Sequence, residues 1–184
     1  MKKIITIASI TLSHLVSAQT KSFVIETDPL PYFFKGYSAE AAYSFNRNRI
    51  YFEVVKLSEI PNFILSNKNF TEERFVIGIG YSKFLKSHQK GLFIGGDLSN
   101  SYSIFKLKNS DLKLKNETFK IGIRIGYTFY PIKKIPNLLV SPWISPRIAT
   151  NISNINLGSE VLTRGLIDVV GAVHIGYKFT LNKK

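Results

Sequence analysis

The chain has no cysteine, one methionine, one tryptophan and three histidines in 184 residues. Without cysteine there is no disulfide scaffold, no thiol nucleophile, no zinc ribbon and no lipid-modified N-terminal cysteine. Three histidines are too few for most histidine-rich metal sites, and His14 falls in a segment expected to be removed. Beyond the first residues no apolar run is long enough for a spanning helix, and no stretch carries a convincing apolar stripe at the 3.6-residue period. A 20% share of charged residues with mean hydropathy +0.05 argues against disorder. The length fits one domain.

Residues 1–18 read as a cleaved secretory signal. Met1-Lys2-Lys3 is a short basic start, Ile4 to Val16 is apolar, and Val16-Ser17-Ala18 offers a small-residue cleavage site before Gln19. The apolar run is short of the roughly 20 residues that span a bilayer as a helix. Residues 19–184 are then the mature domain, with His88 and His174 its only histidines.

From there on, the period is two. In Phe119 to Tyr130 the odd positions are Phe, Ile, Ile, Ile, Tyr and Phe, while Lys120, Gly122, Arg124, Gly126 and Thr128 stand between them. Leu166 to Leu181, Phe75 to Tyr81 and Leu92 to Tyr102 alternate in the same way, and weaker strands are expected over about 22–28, 36–46, 49–57 and 138–152. That makes eight strands. Short connections at 47–48, 86–90 and 131–137 alternate with longer ones at about 29–35, 58–71, 107–116 and 153–164. The order turn, loop, turn, loop predicts an all-β fold, an eight-stranded antiparallel up-and-down barrel with short turns at one end and long loops at the other.

Alternation alone allows two barrels: a soluble lipocalin-like barrel with apolar residues inside, or a membrane barrel with apolar residues outside. Three features favour the membrane. The polar face is small, with Gly78, Gly80, Ser82, Gly95, Ser99, Ser101, Gly122, Gly126 and Gly176, as a narrow interior requires. Aromatics collect toward the short turns, at Tyr43, Phe45, Phe52, Tyr81, Tyr127, Phe129, Tyr177 and Phe179, like an interfacial girdle. Lysine and arginine concentrate in turns, loops and the tail, at Arg47, Lys86, Lys90, Lys133, Lys134, Lys183 and Lys184.

On these residues, and on the repeated Ile-Gly-Tyr strands at 79–81, 125–127 and 175–177, the chain resembles the small eight-stranded outer-membrane barrels of the OmpX and OmpA transmembrane-domain type, particularly versions found in Bacteroidota. The resemblance covers the whole mature chain. It implies the outer membrane of a Gram-negative bacterium, a porin-like fold, outer-membrane lipids as surroundings, and a last strand near Gly176-Tyr177-Lys178-Phe179 read by the barrel assembly machinery. A protein partner in a larger outer-membrane complex also fits.

With apolar residues toward lipid, the lumen is expected to receive Glu26, Asp28, Glu40, Glu53, Asp97 and Asp168 together with Arg74, Lys120, Arg124, Arg147, Lys178 and His174. Charges in a narrow lumen need partners, so the expectation is a charge-paired plug rather than a pore, without enzyme activity, metal or cofactor. A lipid-modifying enzyme built on His174, with Ser99, Ser101, Asp97 or Asp168 nearby, or on a lateral opening at the Pro142/Pro146 seam, is the alternative from another class; a secreted barrel binding an apolar ligand is the third. Pro142 and Pro146 lack the N–H that a ladder needs, so gaps or bulges are expected there. Lys106, Lys108, Lys113 and Lys115 with Asp111 read as a basic loop. Nucleic-acid binding is not expected, because the charge is split between both barrel ends and no aromatic stacking surface accompanies it.

Overall fold

The computed structural model describes residues 21–60, 67–86 and 89–181. The expected signal segment 1–18, His88, Lys183 and Lys184 lie outside the described residues. Eight strands close into one antiparallel barrel: β1 (Lys21–Thr27), β2 (Tyr37–Phe45), β3 (Asn48–Leu57), β4 (Phe70–Phe84), β5 (Gly91–Leu107), β6 (Lys113–Thr128), β7 (Leu138–Ala149) and β10 (Ile167–Leu181). Each pairs with its neighbour in sequence, and β1 closes on β10 through pairs such as Phe23 with Phe179. A one-turn helix, α1 (Leu30–Phe33), follows β1, and a small hairpin of β8 (Ile155–Leu157) and β9 (Glu160–Leu162) lies between β7 and β10.

The faces sort by period two. In β6 the residues of the set Phe119, Ile121, Ile123, Ile125 and Tyr127 are exposed, and Thr118, Lys120, Gly122, Arg124, Gly126 and Thr128 are buried. The exterior is therefore a continuous apolar belt and the interior is polar, which inverts the arrangement of a soluble barrel. Ile123 is 55% exposed while its neighbour Arg124 is 3% exposed, so the fold leaves an isoleucine outside and an arginine inside. That choice is stable only where the surroundings are hydrocarbon. The soluble-barrel alternative is set aside on this point.

Strands β4, β5 and β6 have 15, 17 and 16 residues. A tilted strand crosses a bilayer with about 9–11, so these three run on past the apolar belt at the loop end. There the outward positions turn charged, with Glu73, Lys106, Lys113, Lys115 and Glu117. The basic loop expected at 107–116 is thus corrected: Lys106 belongs to β5, Lys113 and Lys115 belong to β6, and the turn itself is short. Alternation continues there, but with charge where isoleucine stood. The segment expected as the loop 153–164 folds as the β8–β9 hairpin. Its Ile155, Leu157 and Leu162 pack with Phe70 and Phe105 into a small apolar core above the barrel.

The prolines act on one seam. In the β6–β7 ladder Lys120, Ile121 and Gly122 pair with Ala149, Ile148 and Arg147, and Ile125 and Gly126 pair with Ile144 and Trp143. Ile123 and Arg124, which would face Pro146 and Ser145, fall in the gap between. On its other side β7 pairs without interruption with β10.

The belt can be tested at one residue. Ile123→Arg sets a charge against hydrocarbon near the strand's midpoint and should destabilise the barrel by about 2–4 kcal/mol. Reversible urea unfolding in lipid vesicles measures it, with Lys115→Arg, above the belt, staying close to wild type.

Candidate functional site

The lumen has three storeys. At the short-turn end Val24, Ala42, Tyr51 and Leu139 form a buried apolar cluster against Tyr130. Phe84 and Phe93 are buried at the same end, with ring centroids 5.4 Å apart. The turn after β4 tucks Gln89 beneath, where its side chain accepts a hydrogen bond from Ser22 Oγ at 2.7 Å. This storey is the apolar floor of the lumen.

Above it lies a ladder of alternating charge. Its origin is register: Glu26 of β1 pairs with Glu40 of β2, and Glu40 pairs with Glu53 of β3, so three carboxylates enter the lumen side by side. Arginines from β3, β6 and β7 fill the spaces. Arg49 bonds to Glu26 and donates to Glu40 at 2.5 Å. Arg124 donates to Glu40 and to Glu53, both at 2.9 Å. Arg147 donates to Glu53 at 3.4 Å and faces Asp97 at 2.9 Å. Ser145 donates to the other oxygen of Asp97 at 2.8 Å. All seven charged side chains are 6% exposed or less. Arg124, at the centre, lies 4.3 Å from the Tyr51 ring centroid and 3.8 Å from that of Trp143, so aromatic faces cover the guanidinium that carboxylates grip at its edges.

Small residues make room for this. A Cβ on Gly122 would lie 2.6 Å from the Arg147 side chain and 2.7 Å from Ser145 Oγ, and one on Gly176 would lie 2.3 Å from Glu26 Cγ. At Gly78, Gly80, Gly122 and Gly176 a neighbour's long side chain crosses the strand, whereas Gly95 meets the backbone of β4.

His174 closes the ladder on the β10 side. Its Nδ1 is 3.6 Å from Glu26 and 3.4 Å from Glu40, and its ring meets Trp143 edge-on. Asp97 and Asp168, once candidate partners, are engaged elsewhere, with Arg147 and Lys120. Ser141, opposite His174 on β7, shares a hydrogen bond with Thr128 Oγ1 at 2.8 Å. Glu26, Glu40 and His174 have ligand atoms within 4.8 Å of one another, but Arg49 already grips both carboxylates, so a cation there would compete with a guanidinium. The donor set does not fit a metal site.

The third storey, toward the loops, holds separate pairs. Arg74 binds Glu72 two residues away, at 2.7 Å, and Lys120 binds Asp168 at 2.5 Å. Two expected members stand apart from the ladder. Asp28 lies past the end of β1, where its carboxylate accepts the Leu30 N–H at 3.0 Å; burial raises its pKa above the usual range. Lys178 lies near the short-turn end, 4.9 Å from the Tyr130 ring centroid, away from the carboxylates. Arg49 and Glu72 are lumen residues outside the expected network. Stepping back by twos from Glu53 reaches Arg49.

The expected girdle residues are on the outer surface, exposed or half-buried. Tyr81 donates to Asn48 at 2.6 Å, and Tyr43, Phe45, Tyr127, Phe129, Tyr177 and Phe179 form three tilted ring pairs toward the short-turn end. Phe52 sits deeper, between Ala41 and Ile79. Tyr37, Phe75, Tyr102 and Phe119 provide aromatics at the opposite end of the belt, which the sequence reading did not single out as a girdle.

No family model and no curated protein matches the chain. Among solved structures it is similar to Neisserial surface protein A, with 12% identity, 89% of this chain and 96% of that chain covered, and a TM-score of 0.51. The N-terminal barrel domain of Pseudomonas aeruginosa OprF follows at 10% identity, 88% and 97% coverage and a TM-score of 0.49. Ail, the attachment invasion locus protein of Yersinia pestis, gives 12% identity, 88% and 97% coverage and a TM-score of 0.41. The first likeness shows the fold: this is an eight-stranded barrel of the outer-membrane type.

Removing one rung tests the ladder. Arg124→Met leaves Glu40 and Glu53 short of a partner and should cost about 3–5 kcal/mol of unfolding free energy. Adding Glu40→Gln should recover part of that loss, so that the double variant is more stable than the sum of the two single effects.

Proposed function

We propose that the chain is a non-enzymatic integral barrel of the outer membrane of a Gram-negative bacterium, with a lumen closed to permeation, that serves envelope structure, surface interaction or a larger outer-membrane assembly as an accessory subunit. One observation carries this reading: an apolar belt surrounds a lumen whose charges are spent on one another. Side chains gripped by opposite charges on either side present no free row of charge to a passing ion. The apolar storey of Val24, Ala42, Tyr51 and Leu139 blocks the short-turn end as well.

In this reading the short turns face the periplasm and the extended β4–β6 strands with the β8–β9 hairpin face outward. Residues 1–18 direct export and are removed. The final strand, with Tyr177 and Phe179 on its lipid face, is the segment the barrel assembly machinery engages. Outer-membrane lipids are the constant partner, and the projecting β5–β6 hairpin is the surface offered to others. Neisserial surface protein A is, by its name, a surface protein, which agrees with an outward role. Against enzyme activity stands burial: His174 is 5% exposed, and Ser141, opposite it on β7, shares a hydrogen bond with Thr128.

Purified mature protein in planar bilayers should give no steady conductance above the bare membrane. Reproducible open channels would contradict the closed lumen. In cells the protein should be recovered with the outer-membrane fraction and migrate differently on a denaturing gel before and after boiling.

A further inference from the structure

At the loop end, between the tops of β4, β6 and β7 and the start of β10, lies a cavity of about 300 Å³. That reaches the lower end of the range seen for small-molecule sites. Phe105, Leu162 and Ala149 give it apolar walls, and Arg74, Lys120 and Arg164 bring three cations to it against two carboxylates, Glu72 and Asp168. Glu72 is taken by Arg74 and Asp168 by Lys120.

Arg164 is left over. It lies in the connection between β9 and β10, held by Nη2 donating to Thr118 Oγ1 at 2.7 Å, with its guanidinium 5.8 Å from the Phe105 ring centroid. Its Nη1 is buried and has no hydrogen-bond partner. A buried guanidinium nitrogen without an acceptor is costly, and the Arg164 side chain that carries it lines the cavity. The neighbouring Thr163 and Gly165 are exposed, so the site is reached from the loop side.

We propose that this cavity binds a small organic acid: a carboxylate received by Arg164, with Lys120 and Arg74 adding positive potential, and a compact apolar body laid against Phe105 and Leu162. The carboxylate supplies the acceptor that Nη1 lacks. Phosphate without an apolar body would leave the hydrophobic walls unused, and a neutral hydrocarbon would leave Arg164 unpaired. Both features of the wall therefore select an amphipathic anion. The site lies above the charge ladder and is independent of whether the lumen conducts.

The test uses the full mature barrel in zwitterionic lipid nanodiscs, with phenylacetate as probe and empty nanodiscs to subtract partitioning. Calorimetry should show saturable binding of phenylacetate, at least about tenfold tighter than acetate, which lacks the ring, or 2-phenylethanol, which lacks the charge. Arg164→Gln should weaken phenylacetate by about tenfold and Arg164→Lys should restore most of the loss. Asp168→Asn, which frees Lys120 and removes a competing anion, should tighten it. An unaltered gel shift on heating shows that each variant is folded. Absence of saturable phenylacetate binding, equal affinity for 2-phenylethanol, or an unchanged affinity in Arg164→Gln would overturn the proposal.

Discussion

Arg124 sits where every constraint on the barrel meets. Eight strands leave an interior wide enough for side chains and little else, and a charge in that space must find its counter-charge among its neighbours. Arg124 does so by bridging Glu40 and Glu53, carboxylates that the β2–β3 register sets side by side. Without it those two would repel across a ladder rung. With it, Arg49 and Arg147 can hold the outer partners, and the sequence of charges from Glu26 to Asp97 alternates without a gap. Register and lumen chemistry support each other: a one-residue slip of β3 would turn Glu53 toward lipid and Phe52 inward.

The ladder also explains why the polar face is rich in glycine. Long arginine and glutamate side chains must lie across adjacent strands to reach one another, and Gly78, Gly122 and Gly176 are places where they cross. The aromatic faces of Tyr51 and Trp143 then fill the space that remains around Arg124. The prolines have a counterpart role on the outside. Pro146 lacks the N–H that β6 would bond, and the ladder between β6 and β7 opens beside it. The barrel tolerates that opening on one edge of β7, because the other edge is fully paired to β10.

Much of this was legible in sequence because lipid and lumen impose opposite demands on alternate residues. Isoleucine next to arginine at 123 and 124 has one comfortable solution, and the same holds along the last strand. Legibility fails where that contrast fades. Beyond the belt, Lys113, Lys115 and Glu117 stand at outward positions in water, so β6 continues where hydropathy reads a loop. Glu72 was lost for the same reason, at the start of a strand whose first residues lie above the lipid. Ile155, Leu157 and Leu162 belong to strands of three residues, too short to display a period. Asp28 keeps the parity of β1 but falls past its last ladder pair, so parity alone assigned it to a network it does not join.

The guanidinium groups of the lumen are fixed in ion pairs rather than moving in water. Arginine side-chain NMR on the barrel in nanodiscs reads this directly. Arg49, Arg124 and Arg147 should give separate, slowly exchanging Nη–H signals with couplings across the hydrogen bonds to Glu40 and Glu53, unlike the solvent-exposed Arg47. Averaged, rapidly exchanging Nη–H signals from Arg124 and Arg147, matching those of Arg47, would contradict a closed, charge-paired lumen.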